Sequence, residues 1–462
     1  MSKNKTIVGV AAGNHDASIS VIRDNTLVYA AHSERYSKIK NDKYLNKEII
    51  DDALSCTDGF VDTICFYERP LLKKTRQLYA GQYKSVFSNF YYRECLRKIR
   101  KQLNNTPEVK YIRHHKAHAA QAYLSPFDEA IVLVVDSIGE WDTISFWLYR
   151  DNDLILLESI KYPFSLGLFY TALTQYVGLK PNEDEYILMG MSAFGNLEAA
   201  EYFKDKFKFD LTNYKRMYNY NFHKGVQEKL NNLNNIDIAA ATQFLLEEML
   251  RQLVKKIYDY QCMYNINNLV YSGGVALNCV ANTNIFLKKF NNNIFIFPNP
   301  GDSGTSVGAA LVENKQKVRF DSIYLGYKMK ELEVNDINSI VDYLIQNKIV
   351  GLAHGRAEFG PRALGNRSLL ADPRFDNNKD EVNKIKQREK FRPFAPVILE
   401  EKFNEYFETF GLKSSPYMQY TLKCKYPELF PSIIHVDHTS RVQTVNKDQN
   451  KFLYLLLSNF YE

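Results

Sequence analysis

The chain has 462 residues, 45% of them hydrophobic and 24% charged, with a net charge of +6 at pH 7. That length divides into two or three domains that can each bury a core, and that balance excludes a disordered or fibrous chain. The mild positive excess suits an anionic ligand or a nucleic acid without demanding either. The opening "MSKNKTIVGVAAG" reads as a short polar lead into a strand rather than a signal peptide. No apolar run reaches the ~18 residues that would span a bilayer. Six scattered cysteines without a CxxC pair indicate a reducing, cytoplasmic setting.

In chain order, "TIVGVAA", "GNHDAS" and "ISVIRDNTLVYAAHSE" predict strand, tight turn and strand, with a second turn at Asp24 and Asn25. Residues 45–105 are mixed, basic and predicted helical. They carry "KKTRQLYAGQYKSVFSNFYYRECLRKIRK", whose alternation of basic and aromatic residues fits either a nucleic acid strand or an amphipathic helix with inward tyrosines. "EAIVLVVDSIGEWDTISFWLYRDNDLILLE" then repeats the strand-turn-strand pattern of residues 6–30, which predicts a duplicated actin-like core. A long core helix follows around "IDIAAATQFLLEEMLRQLVKKIYDYQ". Two strand, glycine-turn, helix units come next, "NNLVYSGGVALNCVANTNIF" and "IFIFPNPGDSGTSVGAAL". The expected division is α/β, with one domain over 1–325 and a second over 326–462.

His114 and His118 stand four apart, so a helix would turn both imidazoles to one ion; His115, about 100° around, would not share it. Asp136 closes an apolar strand and would face the sheet end, while Asp302 in "PGDSG" offers a further oxygen. Two imidazoles plus carboxylates with open positions suit iron(II) best, then zinc or manganese. The turns containing Ser272, Gly273, Gly274 and Asn278, and the one containing Gly304, precede predicted helices whose amides could receive phosphate. In the second domain Arg356, Arg362, Arg367 and Arg374, then Lys384, Lys386, Arg388 and Arg392, punctuate Gly-Pro and Arg-Pro segments, a pattern suited to phosphate or carboxylate capture.

Stretches including "GNHDASISV", "HSERYSKIKND", "HHKAHAAQAYLSPF", "VVDSIGEWDT", "SGGVALNCVANT", "NPGDSGTSVGAA", "GRAEFGPRALGNRSLLADPR", "KQREKFRPFAPVILEE" and "DHTSRVQTV" extend in order over nearly the whole chain. Together they resemble the O-carbamoyltransferases of nodulation factors and tobramycin. The resemblance implies a duplicated actin-like (ASKHA) domain followed by a YrdC-like α/β domain. It implies carbamoyl phosphate and ATP as co-substrates, a carbamoyl-adenylate made in the YrdC-like domain, and transfer to a hydroxyl in the actin-like domain. By motif, His114, His118, Asp136 and Asp302 would hold iron(II), His15 would lie near the acceptor hydroxyl and Lys40 near the adenylate. Arg362, Lys386 and Arg441 would hold carbamoyl phosphate and the ATP phosphates.

Family members continue past "TSRVQTV" into a "TGxPVLLNTSFN"-like segment, whereas this chain runs to "FLYLLLSNFYE". The YrdC-like domain is therefore expected to be incomplete, with "KFLYLLLSNF" as an exposed apolar edge for a second polypeptide. A sugar, a natural product or a hydroxymethylated DNA base all remain open as acceptor, and a homodimer is open too. The alternatives are an enzyme like the tRNA threonylcarbamoyl transferases and a nucleotide-binding subunit of a split complex.

Overall fold

A computed structural model describes residues 5–88, 90–230 and 233–462, so the polar lead over residues 1–4 lies outside the described residues. The chain forms two compact units. One comprises residues up to Leu277 plus Asn293–Phe320, the other Asn278–Asn292 plus Asp321–Glu462. The boundary thus falls at Phe320 rather than at residue 325, and residues 278–292, expected in the first domain, pack with the second.

The first unit holds two five-stranded sheets of the same design. β1 (Thr6–Ala11), β2 (Ser18–Arg23) and β3 (Thr26–His32) form an antiparallel meander, and β4 (Thr63–Phe66) and β5 (Glu108–Tyr111) add parallel strands, giving the order β3-β2-β1-β4-β5. β6 (Ala130–Val135), β7 (Asp142–Arg150), β8 (Asp153–Lys161), β9 (Leu269–Ser272) and β10 (Ile294–Ile296) repeat it as β10-β9-β6-β7-β8.

The local chemistry repeats as well. Six residues join β1 to β2, and six join β6 to β7. Asp24 and Asn25 turn β2 into β3 at φ 52° and 56°; Asp151 and Asn152 turn β7 into β8 at 54° and 55°. Left-handed Asp and Asn match the twist of a two-residue hairpin, because their short polar side chains tolerate positive φ. The duplicated actin-like α/β core expected from the sequence is therefore present, strand for strand. Both first strands are buried along their length, as sheets covered on two faces require.

Residues 45–105 are not wholly helical: the four residues of β4 interrupt the helices Lys47–Leu54, Pro70–Tyr79, Tyr83–Ser88 and Tyr91–Arg100. The second glycine unit forms the helix Thr305–Asn314 as expected. After the first, a 3-10 turn leads at Asn278 into a helical run from Cys279 to Phe290 whose middle, Asn282–Leu287, is π-wound, so the expected helix is present with a π segment inside it.

The second unit pairs β11 (Tyr324–Lys328) with β13 (Arg356–Glu358), and β12 (Val350–Ala353) with β14 (Arg367–Leu370). β15 (Val397–Leu399) pairs with β18 (Gln443–Val445), and β16 (Thr421–Lys423) with β17 (Thr439–Arg441). "KFLYLLLSNF" is no strand edge. It forms the helix Lys451–Tyr461, capped by Asn450, with Leu453 and Leu456 buried; Leu456 packs with Ile337, Val341 and Leu344 of the helix Val334–Ile345. Leucines three apart reach one side of a helix, which is why the apolar run turns inward instead of pairing outward. No helix among the described residues is long and apolar enough to cross a membrane, and none of the six cysteines forms a disulfide.

Candidate metal and transfer site

The helix His114–Ala119 presents His114 and His118 one turn apart, both buried, at the end of β6 where Asp136 emerges. His114 Nε2 lies 3.1 Å from Asp136 Oδ2 and 3.0 Å from His118 Nε2, and both imidazoles lie 3.6 Å from Asp302 Oδ1. One ligand atom from each of the four residues falls within 4.8 Å of all the others. Two imidazole nitrogens at 3.0 Å with two buried carboxylates beside them form a donor set that fits a divalent cation, which would replace mutual repulsion with shared coordination.

Supports behind the cluster fix its geometry. The Gly274 amide donates to Asp136 Oδ1 at 3.0 Å, and Ser272 Oγ donates to Gln121 Oε1 at 2.7 Å while standing 3.4 Å from His118 Nδ1. Ser272 and Gly274 were expected at phosphates. Instead they brace the cluster, because Ser272 is fully buried and the Gly274 amide is engaged by Asp136. Gly273 turns the chain at φ 96°, where a Cβ would lie 2.2 Å from the Val135 carbonyl. Glu140, which the sequence reading did not single out, accepts the His114 amide through both oxygens at 3.1 Å and the Arg69 amide at 2.9 Å. Burial pushes its carboxyl pKa up.

The helix Thr305–Asn314 seats the histidine helix. A Cβ at Gly308 would fall 1.8 Å from the Ala117 carbonyl oxygen, and one at Gly9 of β1 would fall 1.9 Å from the Ser306 carbonyl oxygen. A Cβ at Gly304 would meet the Asn299 carbonyl at 1.9 Å, so this glycine serves a close backbone approach. His115 turns away from the cluster and meets Ser145 Oγ at 2.8 Å; burial and then the neighbouring His114 push its pKa down to about 3.

His15 sits on the loop after β1, its Nε2 3.4 Å from Asp302 Oδ2 and its Nδ1 2.9 Å from Asp16 Oδ2. Burial works against its charge, but Asp302 and Asp16 together outweigh burial and raise its pKa to about 9. His114 is likewise raised to about 9, against burial, by Asp302 and Asp136. Asp136 and Asp302 are held below the usual carboxylate range: the imidazoles around them outweigh the cost of burying their charge. His15 is therefore a base only where the charge of Asp302 is engaged elsewhere. Lys40 is exposed and faces Glu34 at 3.7 Å.

In the second unit the expected cations divide. The Arg441 Nε is buried and has no hydrogen-bond partner, and among the described residues no carboxylate pairs with it. Burial lowers its pKa, and Cys279 and Arg392 are the groups that act on it electrostatically. The half-buried Arg441 guanidinium thus stands near a second arginine. Arg392 reaches Glu389 at 3.0 Å. Lys386, at the end of the helix Asn378–Ile385, is exposed; Arg362 is half-buried on the loop between β13 and β14.

Three other positions serve structure. Arg367 donates to the carbonyls of His354, Asn366, Tyr327 and Gly355, and Arg374 clasps Asp372. The side chain of Asn278 caps the Cys279–Ala281 turn. The loop carrying Arg362 is gathered by Glu358, 2% exposed, whose Oε1 accepts from the amides of Leu364, Asn366 and Arg367 at 2.8, 2.9 and 3.2 Å.

Residues 6–311 match the family model for the carbamoyltransferase N-terminus, and residues 341–462 match that for the carbamoyltransferase C-terminus. An uncharacterized protein of Synechocystis sp. is 32% identical over 98% of this chain and 88% of its own length. An uncharacterized protein of Methanocaldococcus jannaschii is 30% identical over 99% and 90%. The nodulation protein NolNO of Sinorhizobium fredii is 26% identical over 96% and 72%. Among solved structures, HypF of T. kodakarensis overlays 68% of this chain and 47% of its own at a TM-score of 0.39 and 16% identity, too loose a likeness to carry the fold, which rests on the strand order. Together the two family matches cover most of the chain, and the chain belongs to the carbamoyltransferase family of enzymes.

Proposed function

We propose that the chain is an O-carbamoyltransferase that moves a carbamoyl group from carbamoyl phosphate, through an ATP-derived carbamoyl-adenylate, to an acceptor hydroxyl. The observation that carries this reading is the cluster of His114, His118, Asp136 and Asp302 with His15 3.4 Å from Asp302. The second unit, read as YrdC-like, makes the adenylate: Arg441 and Arg392, with Arg362 and Lys386, bind phosphate oxygens and offset their charge. The actin-like unit performs the transfer. There the acceptor oxygen attacks the carbonyl carbon, His15 takes the hydroxyl proton at Nε2, and the bond to AMP breaks, so that AMP leaves with the electron pair. The four clustered residues would hold iron(II) or another divalent ion, which when bound supplies Lewis-acid polarisation and neutralises anionic charge.

The test combines the purified chain with ATP, carbamoyl phosphate and iron(II). Pyrophosphate release that requires carbamoyl phosphate, with hydroxylamine trapping the activated group as hydroxyurea, is the expected result. No release, or release indifferent to carbamoyl phosphate, removes the adenylate step from the reading.

A further inference from the structure

A cavity of about 810 Å3 opens in the first unit with Gly13 and Asn14 in its wall, and the next residue along the chain is His15. Its volume lies within the roughly 300–1,000 Å3 usual for small-molecule sites. The opposite walls carry Lys43, Tyr44, Phe90, Tyr91 and Lys98. These walls are tied to the His15 loop. The Gly13 amide donates to the Lys43 carbonyl at 2.8 Å, and the Ala17 amide to that of Asp42 at 2.7 Å. Tyr91 accepts the Leu45 amide at 2.8 Å and meets Tyr44 edge-on, with ring centroids 4.7 Å apart.

Two properties of the cavity say what it takes. Tyr44 and Phe90 are 46% and 43% exposed, with the Lys43 ammonium 5.0 Å from the Tyr44 ring centroid and the Lys74 ammonium 3.8 Å from that of Phe90, so aromatic surface flanked by cations borders the cavity. The second property is charge. Between Arg69 and Lys101 the sequence has ten basic residues and one acidic residue, Glu94, whereas the whole chain is only +6. The positive excess of the protein is thus concentrated in the segment that walls this cavity, and the remainder is net negative. The lining itself carries Lys43, Lys73 and Lys98 against Glu94, with Lys73 paired to Glu68 at 3.0 Å and Lys98 to Glu94 at 2.7 Å, so a cationic acceptor would be repelled here and an anionic one drawn toward Lys43.

We propose that this cavity is the acceptor cradle and that the acceptor is a hydroxyl-bearing ring compound carrying phosphate, the chemistry of a nucleotide or a sugar phosphate. The proposal rests on the transferase reading, because it takes the hydroxyl beside His15 to be the one carbamoylated. The ring packs against the exposed sides of Tyr44 and Phe90, and Lys43 meets the phosphate, joined by Lys98 as it exchanges Glu94 for the ligand.

Amide hydrogen exchange of the full chain tests it, with carbamoyl phosphate and a non-hydrolysable ATP analogue present to fill the other anion site. The probes are UMP, uridine, glucose 6-phosphate, glucose and oligothymidylate. UMP or glucose 6-phosphate is expected to protect peptides spanning 41–46 and 90–101 about tenfold more tightly than its phosphate-free counterpart, the worth of one charge-assisted contact. Lys43→Glu with Lys98→Glu is expected to abolish that protection at an unchanged melting temperature. Oligothymidylate that binds more tightly than UMP assigns the phosphate to a strand, and equal binding assigns it to a free small molecule; either upholds the proposal. Protection indifferent to phosphate, or none at these peptides with any phosphate probe, overturns it. The transferase reading fails separately. A chain that protects these peptides but never carbamoylates a hydroxyl loses the reading and keeps the cradle; one that carbamoylates an uncharged alcohol without such protection does the reverse.

Discussion

His118 is supported on one side and exposed to its neighbours on the other: Nε2 faces His114 and Asp302, while Ser272 stands 3.4 Å from Nδ1 and is itself bonded to Gln121. Partners behind a ligating imidazole fix its tautomer and ring angle, and removing one typically lowers metal affinity about 10–100-fold. Ser272→Ala is expected to do so in a cobalt(II) titration read by visible absorption, with the chain still folded. His118→Ala is expected to remove the absorption bands altogether; bands that survive His118→Ala would disprove ligation. The HxxxH spacing made the imidazole pair legible, since four residues is one helical turn. The roles of Ser272, Gln121 and Glu140 were not legible. Each acts across a long stretch of chain, and a serine next to glycines reads equally well as a phosphate turn.

Helix Thr305–Asn314 lies so close to the histidine helix that one hydrogen atom per glycine sets the distance. Gly308→Ala is expected to destabilise the fold by about 1–3 kcal/mol, the usual cost of overpacking. It is also expected to weaken metal binding beyond that loss, because the clash falls on Ala117, between the two proposed ligands His114 and His118; melting curves with and without metal separate the two effects. In the second unit, Glu358→Ala takes the shared acceptor from three amides of the Arg362 loop. The KM for carbamoyl phosphate is expected to rise about tenfold, while cobalt(II) affinity stays unchanged. Asp-Asn turns and alternating small and apolar residues made both hairpins readable. β4 and β5 were not: "TICF" and "EVKY" are too short to show a period, and only pairing with β1 makes them strands. The terminal apolar run was read as an edge for the same reason, since a short apolar segment does not declare whether its partner is a strand or a helix.

Across the whole chain, the proposed reading assigns the two halves of the reaction to different units, and this divides the variants. His114→Ala is expected to keep carbamoyl-phosphate-dependent pyrophosphate release and lose carbamate formation, whereas Arg441→Ala is expected to lose both. Coincident loss in both variants would show that adenylate formation also depends on the histidine cluster. Domain order was readable from the collinear motifs, but the crossing of residues 278–292 into the second unit was not, because no change in composition marks it. The two six-residue connections, from β1 to β2 and from β6 to β7, align without a gap, which sets Ala12 against Asp136, His15 against Gly139 and Asp16 against Glu140. At the fourth position one copy carries the imidazole and the other a glycine, where a Cβ would lie a tight 3.1 Å from both His114 and His115. On the proposed reading these two equivalent loops are complementary: one would anchor the ion site, and the other would face the incoming alcohol.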